Sequence, residues 1–177
     1  MNFTAEIQHN EDTFRRLAQT QYNAYCIPTK LMMLALCLVC LYCGVTEMAG
    51  GFSLILLFVG CWMAISIQLP AKRNADKMIE LAHGKFPYTK YQFLSEHILI
   101  TGGEEVVELG YNEIYELLED REYLYLFLNK SSGYMVSKAS IKPNDVAGLY
   151  SFLEACTGKK PHVVKGLLSL NLRALLR

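Results

Sequence analysis

Between Leu31 and Ala71 the chain has almost no charge, Glu47 being the only formally charged residue in that stretch. It also lacks a net charge, with 17 basic and 17 acidic residues, so no global field recruits nucleic acid. The four histidines, His9, His83, His97 and His162, are scattered and show no metal spacing such as HExxH. "TGKKP" lacks the glycine-rich approach of a phosphate-binding loop. The first thirty residues are polar and hold no short apolar core with a small-residue cleavage site, so no cleavable signal is expected. No cofactor is implied.

What the chain does have is an apolar excess, 52% of its residues, concentrated in residues 31–71. Sixteen uncharged residues separate Lys30 from Glu47, and twenty-four separate Glu47 from Lys72. A membrane-spanning helix needs about 20 residues, and one helix over the whole stretch would be about 60 Å long, twice the hydrocarbon thickness. Two antiparallel helices fit instead, over about 28–46 and 49–70, with Gly44, Gly50 and Gly51 turning the chain near Glu47 in water. The alternative, a buried apolar hairpin in a soluble protein, lacks support because neither run has the polar face of an amphipathic helix.

Arg15, Arg16 and Lys30 precede this hairpin and Lys72, Arg73, Lys77 and Lys85 follow it, while the connection has no Lys or Arg. The positive-inside rule therefore puts both termini in the cytoplasm of a multi-pass cell-membrane protein.

Cys37, Cys40, Cys43 and Cys61 form the sharpest chemical constellation, three of them on one helical stripe and the fourth opposite Cys37 once the hairpin folds. A metal or redox site there would need thiolates, which are costly in hydrocarbon. Small apolar packing is the simpler use.

Residues 72–86 read as a charged linker helix ending near Gly84 and Pro87. Beyond it, "YTKYQFL", "HILIT", "EVVELG", "YLYLFLN" and "GYMVSK" are short β-rich runs separated by turns. The run "YNEIYELLED" has the spacing of a helix, and "KPNDVAGLYSFLEACTGKK" predicts a helix with Pro143 at its start, Asp145 in its first turn and Gly158 at its end. The fold class is α+β: a two-helix transmembrane hairpin, then a small antiparallel-sheet domain over 87–158 closed by a helix. Residues 1–27 read as a polar N-terminal segment.

This layout, with "YQFLSEHILI", "YNEIYELLED" and the "SGYMVSKASI" strand carrying Lys138, resembles the YcxB-like bacterial membrane proteins along the chain up to about Lys160. The resemblance implies a pleckstrin-homology-like C-terminal domain in which "YNEIYELLED" is a strand. It supplies no catalytic residues.

Nine acidic residues against one basic residue between Glu96 and Glu122 argue against binding of phosphoinositide-like headgroups by the sheet. The carboxylates of "EDRE" read as a solvated turn. The tail 159–177 is basic and amphipathic, and Lys159, Lys160, Lys165, Arg173 and Arg177 suit contact with an anionic membrane surface, or packing on protein.

The expected partners are the lipid bilayer and either another protein or a second copy of the chain, with no nucleic acid. The expected function is a non-enzymatic, membrane-anchored cytoplasmic interaction module. A membrane metal or redox protein using the cysteine stripe, or an accessory subunit of a transporter, is the alternative.

Overall fold

A computed structural model describes residues 2–46, 50–103 and 105–163. Its first element corrects the reading of residues 1–27 as a polar segment. Phe3, Ala5 and Ile7 alternate with exposed residues and are buried in strand β1 (Phe3–Gln8), the period-2 pattern of a half-buried strand. Helix α1 (Glu11–Tyr25) follows at once, capped by Asn10, whose side chain accepts from the Thr13 amide at 2.9 Å while the Thr13 hydroxyl accepts from the Asn10 amide at 2.9 Å.

Helix α2 (Ile27–Val45) has 19 residues and is long and apolar enough to cross a bilayer, since it rises about 28 Å. A 3-10 turn (Gly50–Phe52) leads into α3 (Ser53–Ser66), and α4 (Leu69–Leu81) follows after a bend of 46°. The continuous helix expected over 49–70 is therefore cut after Ser66. The reason is Pro70, in the first turn of α4: it has no N–H for the Ser66 carbonyl, and its ring disfavours helical geometry in the preceding residue. The apolar helix of residues 50–66 passes the spanning criterion only together with α4. The charged linker helix exists, but it begins inside the apolar run.

Strands β2 (Tyr88–Phe93), β3 (His97–Gly102) and β4 (Glu105–Gly110) form successive hairpins, and β1 adds antiparallel to β2, from Phe3 opposite Phe93 to Gln8 opposite Tyr88. The first sheet is thus ordered β1-β2-β3-β4. A second sheet contains β5 (Glu116–Glu119), β6 (Tyr123–Phe127) and β7 (Gly133–Ser137), with a short parallel strand β8 (His162–Val163) against β5.

The run "YNEIYELLED" is a 3-10 turn over Tyr111–Glu113 followed by β5, so the strand implied by the family resemblance holds for its second half. The helical spacing misleads because Ile114, Leu117 and Leu118 are all buried in one core, and no helix is needed to hide them. Helix α5 (Val146–Thr157) closes the domain. Asp145 is its N-cap, accepting from the Gly148 amide at 2.8 Å, instead of lying in the first turn, and Gly158 ends it at φ 69°.

The core lies between the two sheets and α5, with Phe93, Ile98, Ile114, Leu124, Leu126 and Leu149 fully buried. The opposite face of the second sheet is covered by α1: Tyr25 meets Phe127 edge-on at 5.3 Å, and the Arg16 guanidinium stands 5.4 Å from the centre of the Tyr123 ring.

Candidate functional site

Helices α2 and α3 pack antiparallel, because residues 37, 41 and 44 approach 60 and 57 in descending order. The Cys37 thiol donates to the Gly60 carbonyl at 3.2 Å. Gly60 and Gly44 permit this closeness: a Cβ on Gly60 would stand 2.8 Å from Leu41 side-chain carbons, and one on Gly44 would stand 2.6 Å from Leu57 Cγ. Away from that seam the surface is bare. Leu36, Leu38, Val39, Leu54, Phe58, Trp62 and Ile65 are exposed, Leu54 at 79% and Ile65 at 80%. A continuous apolar surface of this extent marks a membrane or protein contact.

The polar world begins abruptly at the foot of this pair. The Lys30 ammonium is buried, held by the Asn23 side chain at 2.5 Å and placed 4.4 Å from the Tyr22 ring centre. The Tyr22 hydroxyl donates to the Ile67 carbonyl at 2.8 Å, beside the α3–α4 break. Above it α1 lies along α4, where Ala18, Ala71 and Ala75 are buried and Arg15 pairs with Asp76 at 2.9 Å.

A second polar cluster locks the sheet to the closing helix. Lys138 Nζ lies 2.5 Å from Glu119 Oε2 and donates to the Asp120 carbonyl at 2.6 Å, and the Tyr150 hydroxyl donates to Glu119 at 2.6 Å. Burial raises the Glu119 carboxyl, but the hydrogen bonds from Lys138 and Tyr150, with the Lys138 charge, outweigh it and hold the group below the ordinary carboxylate value. Burial and the Glu119 contact push the Tyr150 phenol up.

Lys138, in the strand motif that carries the family resemblance, is thus a structural cation. The neighbouring "EDRE" carboxylates are more than a solvated turn: Asp120 accepts from the Glu122 and Tyr123 amides and from the Tyr125 hydroxyl, and Glu122 pairs with Arg16 at 2.8 Å.

A cavity of about 350 Å³ opens between the first sheet, β7 and α1. Its walls include Phe14 and Leu17 of α1, Tyr91 and Ile100 of the sheet, Val107 of β4 and Met135 of β7. Burial pushes the His9 imidazole, at its rim, below its ordinary value.

The cysteine stripe is not assembled into a site. Cys37 is buried against α3, Cys40 and Cys43 are half-buried, and Cys61 is exposed. Among the described residues no group of three or more His, Cys, Asp or Glu is placed to hold a metal ion.

Of the basic tail residues, Lys159 donates to the Ile114 carbonyl and Lys160 pairs with Glu154 at 3.1 Å, so both are engaged with the domain itself. His162 lies 3.2 Å from Glu116, next to the Tyr25 hydroxyl that donates to the same carboxylate at 2.5 Å. Lys165, Arg173 and Arg177 lie outside the described residues, as does Glu47.

Sequence reasoning missed the pairing of β1 with β2, although the alternation of Phe3, Ala5 and Ile7 fits a strand, and it missed that β4 lies at the end of its sheet among the described residues. No curated protein matches the chain. Residues 93–153 match the family described as YcxB-like protein, so the segment from the end of β2 into α5 carries that family's signature, a narrower stretch than the layout up to Lys160 implied.

Proposed function

We propose that the chain is a non-enzymatic, membrane-anchored interaction module, in which α2 and α3 cross the bilayer as a hairpin and hold the sheet domain at the cytoplasmic surface. The observation that carries this reading is the pairing of β1 with β2 over six residues on each strand. The two strands flank the apolar helices in sequence, and they are neighbours in one sheet. A chain that leaves the domain through α2 must return to it through α3, so the number of crossings is even.

The lengths agree. Residues 50–66 rise about 25 Å, and the remainder of the hydrocarbon thickness of about 30 Å is met by tilt or by the apolar start of α4. Tyr22, Tyr25 and Lys30 sit where an aromatic and basic belt is expected, and Arg15, Arg16, Lys72, Arg73 and Lys77 favour the cytoplasmic side. Two sheets closed by α5 suit a pleckstrin-homology-type domain, whose acidic exterior favours protein over anionic lipid as its ligand.

Alkaline carbonate extraction, combined with reporters fused at both termini and inserted between residues 46 and 50, tests the anchor. The expected result is a pellet-bound protein with both terminal reporters cytoplasmic and the central one on the opposite side. Release by carbonate, or terminal reporters on opposite sides, overturns the reading.

A further inference from the structure

Strand β4 ends the first sheet, and among the described residues its outer edge makes no backbone hydrogen bond to another segment. The other end of that sheet is covered: Thr4 of β1 exchanges backbone bonds with Lys142, and the Glu6 amide donates to Ser140 Oγ at 3.0 Å. Over residues 105–108 β4 is also bare on both faces, with Val106 at 60% and Val107 at 41% exposure, and Glu105 and Glu108 exposed, while Leu109 is buried in the core. Natural proteins blunt or cover such edges unless they are used.

Val107 and Glu105 point to the side on which the 350 Å³ cavity opens. The cavity's own polar groups are largely committed. The Tyr91 hydroxyl donates to the Met135 carbonyl at 3.0 Å, and the Thr13 hydroxyl bonds both the amide and the carbonyl of Asn10. What remains for an occupant is a mainly apolar hollow, with the Glu105 carboxylate in its wall, beside a row of backbone groups unpaired among the described residues. A strand laid along β4 would send every second side chain into that hollow.

Charge selects the occupant. Residues 96–120 contain no Lys or Arg, and Glu105 and Glu108 stand on the edge strand itself. Two β4 edges paired antiparallel would set two Glu105 carboxylates on one face of the joined sheet and two Glu108 carboxylates on the other, like charges that destabilise the pairing. A basic strand would find them complementary.

We propose that the β4 edge and the adjoining cavity form one binding site for an extended basic segment of a partner protein, which adds to β4 as a strand and places alternate aliphatic side chains in the cavity. This rests on the reading of the domain as a protein-binding module and names where and what it binds.

The test uses the full chain in lipid nanodiscs and a fluorescent octapeptide of alternating Lys and Val. Its controls are the same peptide N-methylated at every second residue and a Glu–Val counterpart. Fluorescence anisotropy and amide hydrogen exchange are the readouts. The expected result is binding of the Lys–Val peptide with slowed exchange confined to residues 105–109, at least tenfold weaker binding of both controls, and at least tenfold weaker binding to the Glu105→Lys, Glu108→Lys double variant.

Equal binding of the N-methylated peptide, or protection elsewhere, would leave a protein-binding domain whose site is not β4, and overturns the strand addition. No binding in a protein that resists carbonate extraction overturns the site while sparing the anchor. A dimer whose interface protects 105–109 overturns the choice of occupant.

Discussion

Replacing Lys138 by Gln should cost the domain about 2 kcal/mol and move its acid sensitivity to higher pH. The pair it breaks is half-way to a buried one, with the Lys138 and Glu119 side chains 17% and 21% exposed and 2.5 Å apart. Two unit charges about 4 Å apart at an effective dielectric near 20 attract by about 4 kcal/mol. Desolvation of both groups offsets a large part of that, while leaving one charge buried and unpaired costs about 3–5 kcal/mol in a fully buried site. Partial exposure scales the expected loss to about 1–3 kcal/mol, and for a chain of this length that lowers Tm by about 2–12 °C.

The pH dependence has a definite sign. Glu119 is held below the ordinary carboxylate value in the fold, so its contribution is present above the unfolded value of about 4.3 and is lost as pH falls through the folded one. Without Lys138, burial prevails and the folded value rises, so the variant's loss begins at higher pH. Near-UV circular dichroism of the tyrosines, followed on heating the full chain in detergent between pH 3 and 7, reads both effects. The double variant Lys138→Gln, Glu119→Gln should recover most of the stability, since both charges then leave together. An unchanged Tm in the single variant, or a double variant no better than the single, would refute the argument.

Three other perturbations have clear expected outcomes. Gly60→Val drives a branched side chain into Leu41 and should loosen the α2–α3 pair by about 1–3 kcal/mol, whereas Gly51→Ala, with nothing within 4 Å among the described residues, should be neutral; protease resistance of the hairpin in micelles compares them. Asp145→Ala removes the α5 cap and should lower stability by about 1 kcal/mol, seen as a shifted denaturant midpoint. Phe3→Ala empties a site that is 1% exposed and should cost about 3–5 kcal/mol; a polar, unstructured N-terminus would instead tolerate it without change in the melting curve.

Much of the domain was legible because its hairpin strands announce themselves locally. β2, β3, β4, β6 and β7 each lie within a run of Tyr, Phe, Val and Ile bounded by turn residues, and α5 is bracketed by Asp145 and Gly158. The long-range features were not. The pairing of Phe3 with Phe93 leaves no trace near either residue beyond an alternation too short to be decisive. The break after Ser66 was in principle visible at Pro70, but twenty-four uncharged residues in a row suggested an uninterrupted helix. The role of Lys138 depended on Glu119 and Tyr150 arriving from two other elements, which no local pattern encodes. The place of β4 at the end of its sheet among the described residues was equally hidden, because "EVVELG" reads the same whether the strand is central or terminal.

The place of β1 in the sheet also fixes an order of events during synthesis. β1 leaves the ribosome before its partner β2, which is about eighty residues behind it, a delay of about 4–16 s at typical elongation rates. Throughout that interval Phe3, Ala5 and Ile7 are an unpaired apolar strand waiting for a mate, and the mate arrives only after both apolar helices have been made. Completion of the sheet therefore reports that the whole intervening segment has come through. A chain stalled or misrouted in between would be left with an orphan apolar strand.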